Sequence, residues 1–477
     1  MEGRKELAKI LDSSFMVVKL RRNVLIPLYW KYINRSKVLT YYQKLKELQW
    51  NSLEGNREIQ RKKLYELIKY TSQNIPYYRK IIKKYDIQFS EDTIFDDIKK
   101  IPLLTKDVIR NHFDKLYKFI DNTYYRNTSG GSTGAPVVFY QDKEYLDWAN
   151  ATKCLFNEWA GRKLGDPMLK LWGSLPDTLG SHQGIKGYLR QQVSGITTLN
   201  TYRVTKEDMY RHVKEINKIK PHLILAYTNN IEVLTRFIQE HYLSVYSPSA
   251  VMTTAGVLYP EVKAKIEEVF HTTVFNRYGS REVSDMACNC EKDEGLHLIP
   301  AVHYLEIVDD EGRQVKPGKP GNIIVTSLTN YTMPLIRYQI GDRGVLSNKA
   351  CSCGRGFPLL EKVEGRINSS FRNKFGDIIS EGFIRLFYYR ENIKQFQVIQ
   401  ESLEKITVNL VLKDKKQLKV IDKDLREITA SIEKIMKSDV IVEYNLVDII
   451  NPSPSGKYSY VFSRVKNYSN STIINKR

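Results

Sequence analysis

The sequence predicts an α/β protein in two parts: a large N-terminal domain of layered sheets and helices, and a small α+β C-terminal domain. Three observations predict it. Between residues 116 and 350, short apolar runs alternate with stretches of helical period, the pattern of a layered domain built on a substantial sheet. A Gly/Ser-rich segment, Thr128–Pro136, lies between two strand-like runs. Beyond residue 366 the chain reads strand, strand, helix, strand over about 110 residues, a compact unit of its own.

The elements follow in order. Residues 1 to about 115 read as mostly helical. Tyr65, Leu67, Ile68 and Tyr70 carry helical spacing into Asn74-Ile75-Pro76-Tyr77-Tyr78, where proline should end the helix. Strands are expected at Leu169–Trp172 and His222–Ala226, with a helix from Asn230 to His241. Two more strands, Tyr304–Val308 and Asn322–Thr326, flank a Gly- and Pro-rich turn. A domain boundary is expected at Glu364-Gly365-Arg366. This gives an N-terminal domain over 1–365, with a helical lead-in over 1–115 and an α/β part over 116–365, then a C-terminal domain over 366–477. In that last domain strands are expected at Gln395–Gln400, Ile406–Leu412 and Val440–Leu446, with a helix at Lys423–Lys437.

Composition narrows the function classes. Hydrophobic residues make up 42% and charged residues 27% of 477, as in a globular protein with a sizeable core. The net charge of +20 favours anionic partners, but the basic residues are scattered and often sit beside acids, as at Lys413-Asp414-Lys415-Lys416. No zinc finger, RRM or basic zipper supports nucleic-acid binding. No apolar run reaches the roughly 18 residues of a membrane span. In Phe15–Ile33, the nearest approach, Lys19, Arg21, Arg22 and Lys31 interrupt the run and Pro27 should kink it. A helix packed on the main domain is expected there, with peripheral contact to an anionic membrane as the alternative. The expected location is cytoplasmic or membrane-peripheral. Cys288, Cys290, Cys351 and Cys353 form two Cys-X-Cys pairs, which in such a protein suggest a metal before a disulfide.

Four motifs carry chemistry. Thr128-Ser129-Gly130-Gly131-Ser132-Thr133-Gly134-Ala135-Pro136 lets backbone N–H groups and hydroxyls wrap phosphate oxygens, without being a Walker loop. In Asn276-Arg277-Tyr278-Gly279-Ser280-Arg281-Glu282, Tyr278 can stack on a purine and Glu282 can bind Mg²⁺ through oxygen. In Arg337-Tyr338-Gln339-Ile340-Gly341-Asp342-Arg343, Asp342 can accept hydrogen bonds from both hydroxyls of a ribose. In Pro452-Ser453-Pro454-Ser455-Gly456-Lys457, a lysine follows a glycine turn and can meet negative charge as it develops. Each alone also reads as an ordinary surface turn.

Together and in this order, the motifs resemble the adenylate-forming superfamily of acyl-CoA synthetases. They are most similar to its phenylacetate-CoA ligase and CapK-like capsular-polysaccharide branch. Flanking signatures add to the likeness: Asn74-Ile75-Pro76-Tyr77-Tyr78-Arg79, Ile101-Pro102-Leu103-Leu104-Thr105-Lys106 and Cys351-Ser352-Cys353-Gly354-Arg355. The likeness runs from about residue 60 to residue 466. It implies that Thr128 and Ser129 to Gly134 hold the ATP phosphates, and that Ala255-Gly256-Val257 lines the adenine. Tyr278, followed by Gly279 and Ser280, covers the other adenine face. Glu282 binds Mg²⁺, Asp342 the ribose, and Arg366 contacts the nucleotide near the hinge. Lys457, on a mobile C-terminal domain, bridges acid and α-phosphate. It also implies a structural Zn²⁺ held by Cys290, His297, Cys351 and Cys353, with Cys288 as the alternative to Cys290.

The chain departs from the pattern in three places. Val137 stands where many superfamily members carry lysine, Asn368 stands at the hinge aspartate, and Ser369–Gly376 only loosely matches the segment lining the thiol tunnel. The expected activity is ATP-dependent adenylation of a carboxylic acid, then transfer to a thiol, amine or hydroxyl acceptor: CoA, an amine or a sugar. The branch implies a place in surface polysaccharide biosynthesis. The alternatives are a phenylacetate-type CoA ligase, an adenylyltransferase that leaves AMP on its substrate, and a non-catalytic nucleotide-binding scaffold. Retention of both Glu282 and Lys457 argues against the scaffold.

Overall fold

The computed structural model describes residues 15–120, 123–129, 137–172, 191–201, 205–366, 371–375, 377–379, 383–388, 390, 392–413, 418–451 and 460–465. Its helical lead-in is built on Val38–Leu48, Leu53–Asn74, Pro76–Lys84 and Lys106–His112. The Ser52 hydroxyl caps the second of these, accepting from Gly55 N at 3.0 Å. Pro76 ends that helix and also opens the next, because a residue without N–H costs nothing at a first helical position. Tyr77 and Tyr78 are therefore helical.

The helical stretch from Phe15 to Ile33 passes Pro27 between two π-helical turns, Arg21–Leu25 and Tyr29–Ile33. Its docking to the main domain is one-sided. Ile26 is buried and Arg22 pairs with Asp166 at 2.5 Å, whereas Met16, Leu20, Val24, Leu28 and Tyr32 form an exposed apolar stripe.

A hairpin of β1 (Tyr124–Thr128) and β2 (Val138–Asp142) precedes the main sheet. That sheet is made of β3 (Met168–Trp172), β4 (Ile196–Asn200), β5 (Leu223–Tyr227), β6 (Ala250–Thr254), β7 (Thr273–Ser280), β8 (Ser284–Asn289), β9 (Leu296–Leu298), β10 (His303–Val308), β11 (Gly321–Ser327), β12 (Tyr338–Leu346) and β13 (Leu359–Arg366). Across the sheet the order is β10-β11-β12-β13-β9-β8-β7-β6-β5-β3-β4. From β4 to β7 every pairing is parallel, and from β7 to β10 every pairing is antiparallel. Buried on both faces, β5 is an almost wholly apolar run, as a parallel core requires, and β6 is apolar up to Thr253 and Thr254 at its carboxyl end. Helices Lys206–Ile219, Thr228–Glu240 and Pro260–Phe270 pack one face, and Lys143–Trp159 packs the other.

The C-terminal unit pairs β16 (Ile393–Gln400) with β17 (Lys405–Leu412) antiparallel, after a short ladder of β14 (Phe371–Arg372) and β15 (Ile378–Ile379). β18 (Ile441–Leu446) and β19 (Val461–Ser463) add in parallel on either side. Phe396, Val408, Ile428 and Ile432 form its own core with the helix Leu418–Met436. It rests on the helix Thr228–Glu240, where the Tyr460 hydroxyl donates to Glu232 and Arg236 Nη1 donates to Lys394 O at 3.2 Å. Arg372 reaches Asp310 at 3.1 Å.

Two flanking sequence signatures turn out to be anchors of the lead-in. The Tyr78 hydroxyl donates to Pro334 O at 2.8 Å and accepts from Ile336 N at 3.1 Å. Arg337, buried, donates to the carbonyls of Lys99 and Ile101 at 2.8 Å each and pairs with buried Glu306 at 3.0 Å. Leu104 bridges to the same strand, its N–H donating to Arg337 O at 2.9 Å. Removing the carboxylate would leave the guanidinium charge buried without a counter-ion. Glu306→Ala should therefore lower unfolding stability by about 3–5 kcal/mol in chemical denaturation. An unchanged midpoint would show that this pair does not hold the lead-in on the sheet.

Candidate active site and metal cluster

The site collects at the carboxyl ends of the parallel strands, where β7 turns into β8. In open α/β sheets this end is left uncovered for ligands. The β7–β8 hairpin is tight: a Cβ on Gly279 would lie 2.6 Å from Ser284 O, so only glycine fits. The turn carries Glu282, 8% exposed, whose Oε1 accepts from the Tyr338 hydroxyl at 3.2 Å. One carboxylate oxygen is thus fixed by a neutral donor, which suits a hard divalent cation such as Mg²⁺ at the other. From β7, the Tyr278 hydroxyl donates to Asp342 Oδ2 of β12 at 2.9 Å. That bond joins the second and third motifs side to side.

The other walls follow from strand ends. Beyond β6 the chain enters Ala255 with φ +65°, a conformation disfavoured for a residue with a Cβ, while the Thr228 hydroxyl lies 3.3 Å from Gly256 O and 3.4 Å from Thr254 O. Gly365, at φ +101°, comes so near that a Cβ there would meet Val257 Cγ2 at 3.0 Å. Arg366 ends β13 and its backbone pairs in register with Asp342. Ala255–Val257, Asp342 and the Gly365-Arg366 backbone therefore border one region.

The glycine-rich loop is entered and left at this site. Thr128 ends β1, Ser129 N donates to Val137 O at 2.9 Å, and Val137 N donates to the Ser129 hydroxyl at 2.9 Å. These bonds close the neck of the loop. Gly130, Gly131, Ser132, Thr133 and Gly134 lie outside the described residues, as do Asn368 and Lys457. Gln141 of β2 donates to the carbonyls of Arg281 and Glu282 at 2.9 and 3.3 Å, and the Tyr145 hydroxyl reaches Glu282 O at 3.4 Å. The hairpin that presents the loop is thereby tied to the turn that presents Glu282. Gln141, Tyr145 and Tyr338 were missed as positioning residues; only Tyr338 carried a signal, its place inside the Arg337–Arg343 motif.

A second cluster lies across the sheet. The donor atoms of Cys290, His297, Cys351 and Cys353 all fall within 4.8 Å of one another, and Cys288 is not among them. Cys290 Sγ and Cys351 Sγ are 3.6 Å apart, and Cys353 Sγ lies 3.4 Å from His297 Nε2. Tetrahedral zinc with Zn–S bonds of about 2.3 Å would place its sulfurs roughly 3.8 Å apart, so the set fits that ion. The N–H groups of Lys292 and Arg355 donate to Cys290 Sγ and Cys353 Sγ at 3.4 Å each, which favours thiolates. Burial lowers the His297 imidazole to about 4, leaving it neutral with a free lone pair at neutral pH. The four residues belong to the end of β8, to β9, and to the turn between β12 and β13. They would clip the seam where β9 pairs with β13.

Comparison with known proteins agrees with this geometry. Residues 371–464 match the CapK C-terminal domain. Protein CapK of Staphylococcus aureus is 23% identical over 435 residues, covering 89% of this chain and 93% of CapK. The phenylacetate-coenzyme A ligase of Thermus thermophilus is 26% identical over 340 residues, 67% of this chain and 72% of the ligase. A 2-hydroxyisobutyryl-CoA ligase in its post-adenylation state shares the fold, with a TM-score of 0.70 at 16% identity over 87% of this chain and 91% of its own. The same ligase in its thioesterification state, at 18% identity and the same coverage, gives 0.54. The fold is that of the adenylate-forming acyl-CoA ligases. The chain is a homologue of CapK and of the phenylacetate-coenzyme A ligases.

Proposed function

We propose that this protein adenylates a carboxylic acid with ATP and then passes the acyl group to an acceptor. The observation that carries the reading is the convergence of motifs far apart in sequence. The neck of the glycine-rich loop, Ala255–Val257, Tyr278, Glu282, Asp342 and the end of β13 border one region at the carboxyl ends of the parallel strands. Tyr278 covers the adenine, Asp342 takes the ribose hydroxyls, and Ser129 with the loop holds the phosphates. Glu282 would hold Mg²⁺, which would supply positive charge to the phosphate oxygens. The acid's carboxylate oxygen attacks the α-phosphorus, the bond to the β-phosphate oxygen breaks, and pyrophosphate leaves. Lys457 of the C-terminal domain stabilises the charge that builds between carboxylate and phosphate.

The acceptor then attacks the acyl carbon and AMP departs. The likeness to CoA ligases supports a thiol acceptor such as CoA, and the likeness to CapK supports a step in surface polysaccharide biosynthesis with an amine or sugar acceptor. The higher similarity to a post-adenylation arrangement than to a thioesterification one supports a C-terminal domain that changes position between half-reactions.

Substrate-dependent exchange of labelled pyrophosphate into ATP tests the first half-reaction. Lys457→Ala should slow it roughly 100-fold or more while ATP binding changes little, as for a donor aimed at transition-state charge. Exchange near the wild-type rate would remove Lys457 from the mechanism. Pyrophosphate release with AMP kept on the final product would instead favour an adenylyltransferase.

The Cys290–His297–Cys351–Cys353 cluster is read as one structural Zn²⁺ site. Elemental analysis of natively purified protein should give about one zinc per chain, since closed four-ligand sites of this kind bind it as part of folding. Cys351→Ser should lower both zinc content and the unfolding midpoint. Zinc-free protein of unchanged stability would overturn the structural role.

A further inference from the structure

Beside the proposed acyl-adenylate site lies a group of charged side chains that none of the roles above employs. Helix Lys143–Trp159 covers one face of the parallel strands over an apolar layer that includes Met168, Leu225, Met252 and Phe275. Strand alternation puts Lys170 and Trp172 on the same face as Met168, and Arg277 on the same face as Phe275. Towards the carboxyl ends of the strands the layer therefore turns from apolar to charged. Lys153 of the covering helix and Asp285 of β8 complete the group.

Among the described residues the charges do not balance. Arg277 and Asp285, at 6% and 9% side-chain exposure, form an ion pair of 3.3 Å. Its geometry leaves Arg277 Nε and Asp285 Oδ2 without hydrogen-bond partners among the described residues. Lys153 and Lys170 both feel Asp285 and Arg277, and Lys170 also feels Lys153. Among the described residues Lys153, Lys170 and Arg277 thus share the Asp285 carboxylate, and Arg162 adds to the positive charge around Lys170. Neither lysine has a salt bridge to another acid among the described residues. Both lie deep in the protein yet keep some accessible surface. Burial, with the neighbouring cations, pulls Lys170 down to about 8, so its charge is disfavoured where it stands. Excess buried positive charge is costly unless an anion enters.

The group also neighbours the proposed reaction centre along β7 and β8. Arg277 directly precedes Tyr278, Asp285 pairs in register with Gly279, and Tyr145 of the covering helix reaches both Asp285 and Glu282 electrostatically. Resting on the adenylation reading above, we propose that the acid substrate carries a second anionic group, seated against Lys153, Lys170 and Arg277. A carboxylate and a phosphate are the two forms of that group. The specificity residues are the two lysines and the arginine; Asp285 holds the arginine in place. An acid whose remote end is apolar or aromatic would leave the charges of this proposed cleft without a counter-ion and is a poor substrate.

The test pairs probes that differ only in the remote charge: glutarate and phthalate against their monoamides, and 3-phosphoglycerate against glycerate. Calorimetric binding to the full chain without ATP is measured beside pyrophosphate exchange with ATP. The charged member of at least one pair should bind and exchange about 100-fold better. That preference should fall to within a few-fold of unity in Lys170→Met and Lys153→Met, and survive in Lys170→Arg. ATP affinity should not move, and removing a buried charge should not unfold the protein, which a thermal melt checks. Charge-selective binding with no exchange for any probe supports the cleft and sinks the adenylation reading. Exchange that favours the neutral members, or a charge preference that survives both lysine variants, overturns the cleft and leaves adenylation standing. Equal binding of charged and neutral members, or no binding of either, also overturns it.

Discussion

β7 pairs in parallel with β6 along one edge and antiparallel with β8 along the other. A parallel neighbour needs a crossover helix, whereas an antiparallel one needs only a tight turn. The chain therefore stops crossing over at β7 and folds straight back. The turn it makes is Gly279–Ser284, and it delivers Tyr278 and Glu282 to the open ends of the parallel strands. Because the antiparallel half then returns through β9 and β13 to β12, Asp342 arrives beside Tyr278 although 64 residues separate them. The loop hairpin is outside this sheet, and Gln141 ties it back to the same turn. One change in strand direction thus sets the relative positions of the motifs at the candidate site.

The antiparallel half is held in two further ways. Arg337, paired with Glu306, clamps the Lys99–Leu104 segment against β12, so the helical lead-in braces the strand that carries Asp342. The short β9 lies against the turn before β13, where the cysteine and histidine donors gather, and the same turn reaches the lead-in through Asn56, which donates to Gly356 O at 2.8 Å. The C-terminal domain has its own core and rests on the helix Thr228–Glu240 through polar contacts.

Much of this was legible in the sequence, for chemical reasons. Glycine-rich turns, an isolated Tyr-Gly-X-X-Glu and a Gly-Asp pair stand out because few backbones need them, and the Cys-X-Cys pairs stand out because free cysteines are scarce. The apolar strands of the parallel sheet were legible from their continuous hydrophobicity, as at Leu223–Tyr227. Other features were hidden. Pro76 reads as a helix end, and only the fold shows that it also begins one. The stretch Phe15–Ile33 reads as a packed helix, yet its apolar side is exposed, because periodicity gives a face and not what covers it. Lys153, Lys170, Arg277 and Asp285 belong to four separate elements, and each alone looks like an ordinary polar position. Their shared burial arises only when the helix Lys143–Trp159 closes over the sheet.

The central claim is that the β7–β8 turn and β12 together form a nucleotide site. Calorimetric titration of the full chain with AMP tests it most directly, because it needs neither the acid nor the acceptor. Asp342→Ala removes an acceptor for ribose hydroxyls, and charged hydrogen bonds of that kind contribute about 1.5–3 kcal/mol each. AMP affinity should therefore fall by roughly 10- to 100-fold while the melting temperature stays close to wild type. AMP binding of unchanged affinity in a folded Asp342→Ala protein would contradict the account.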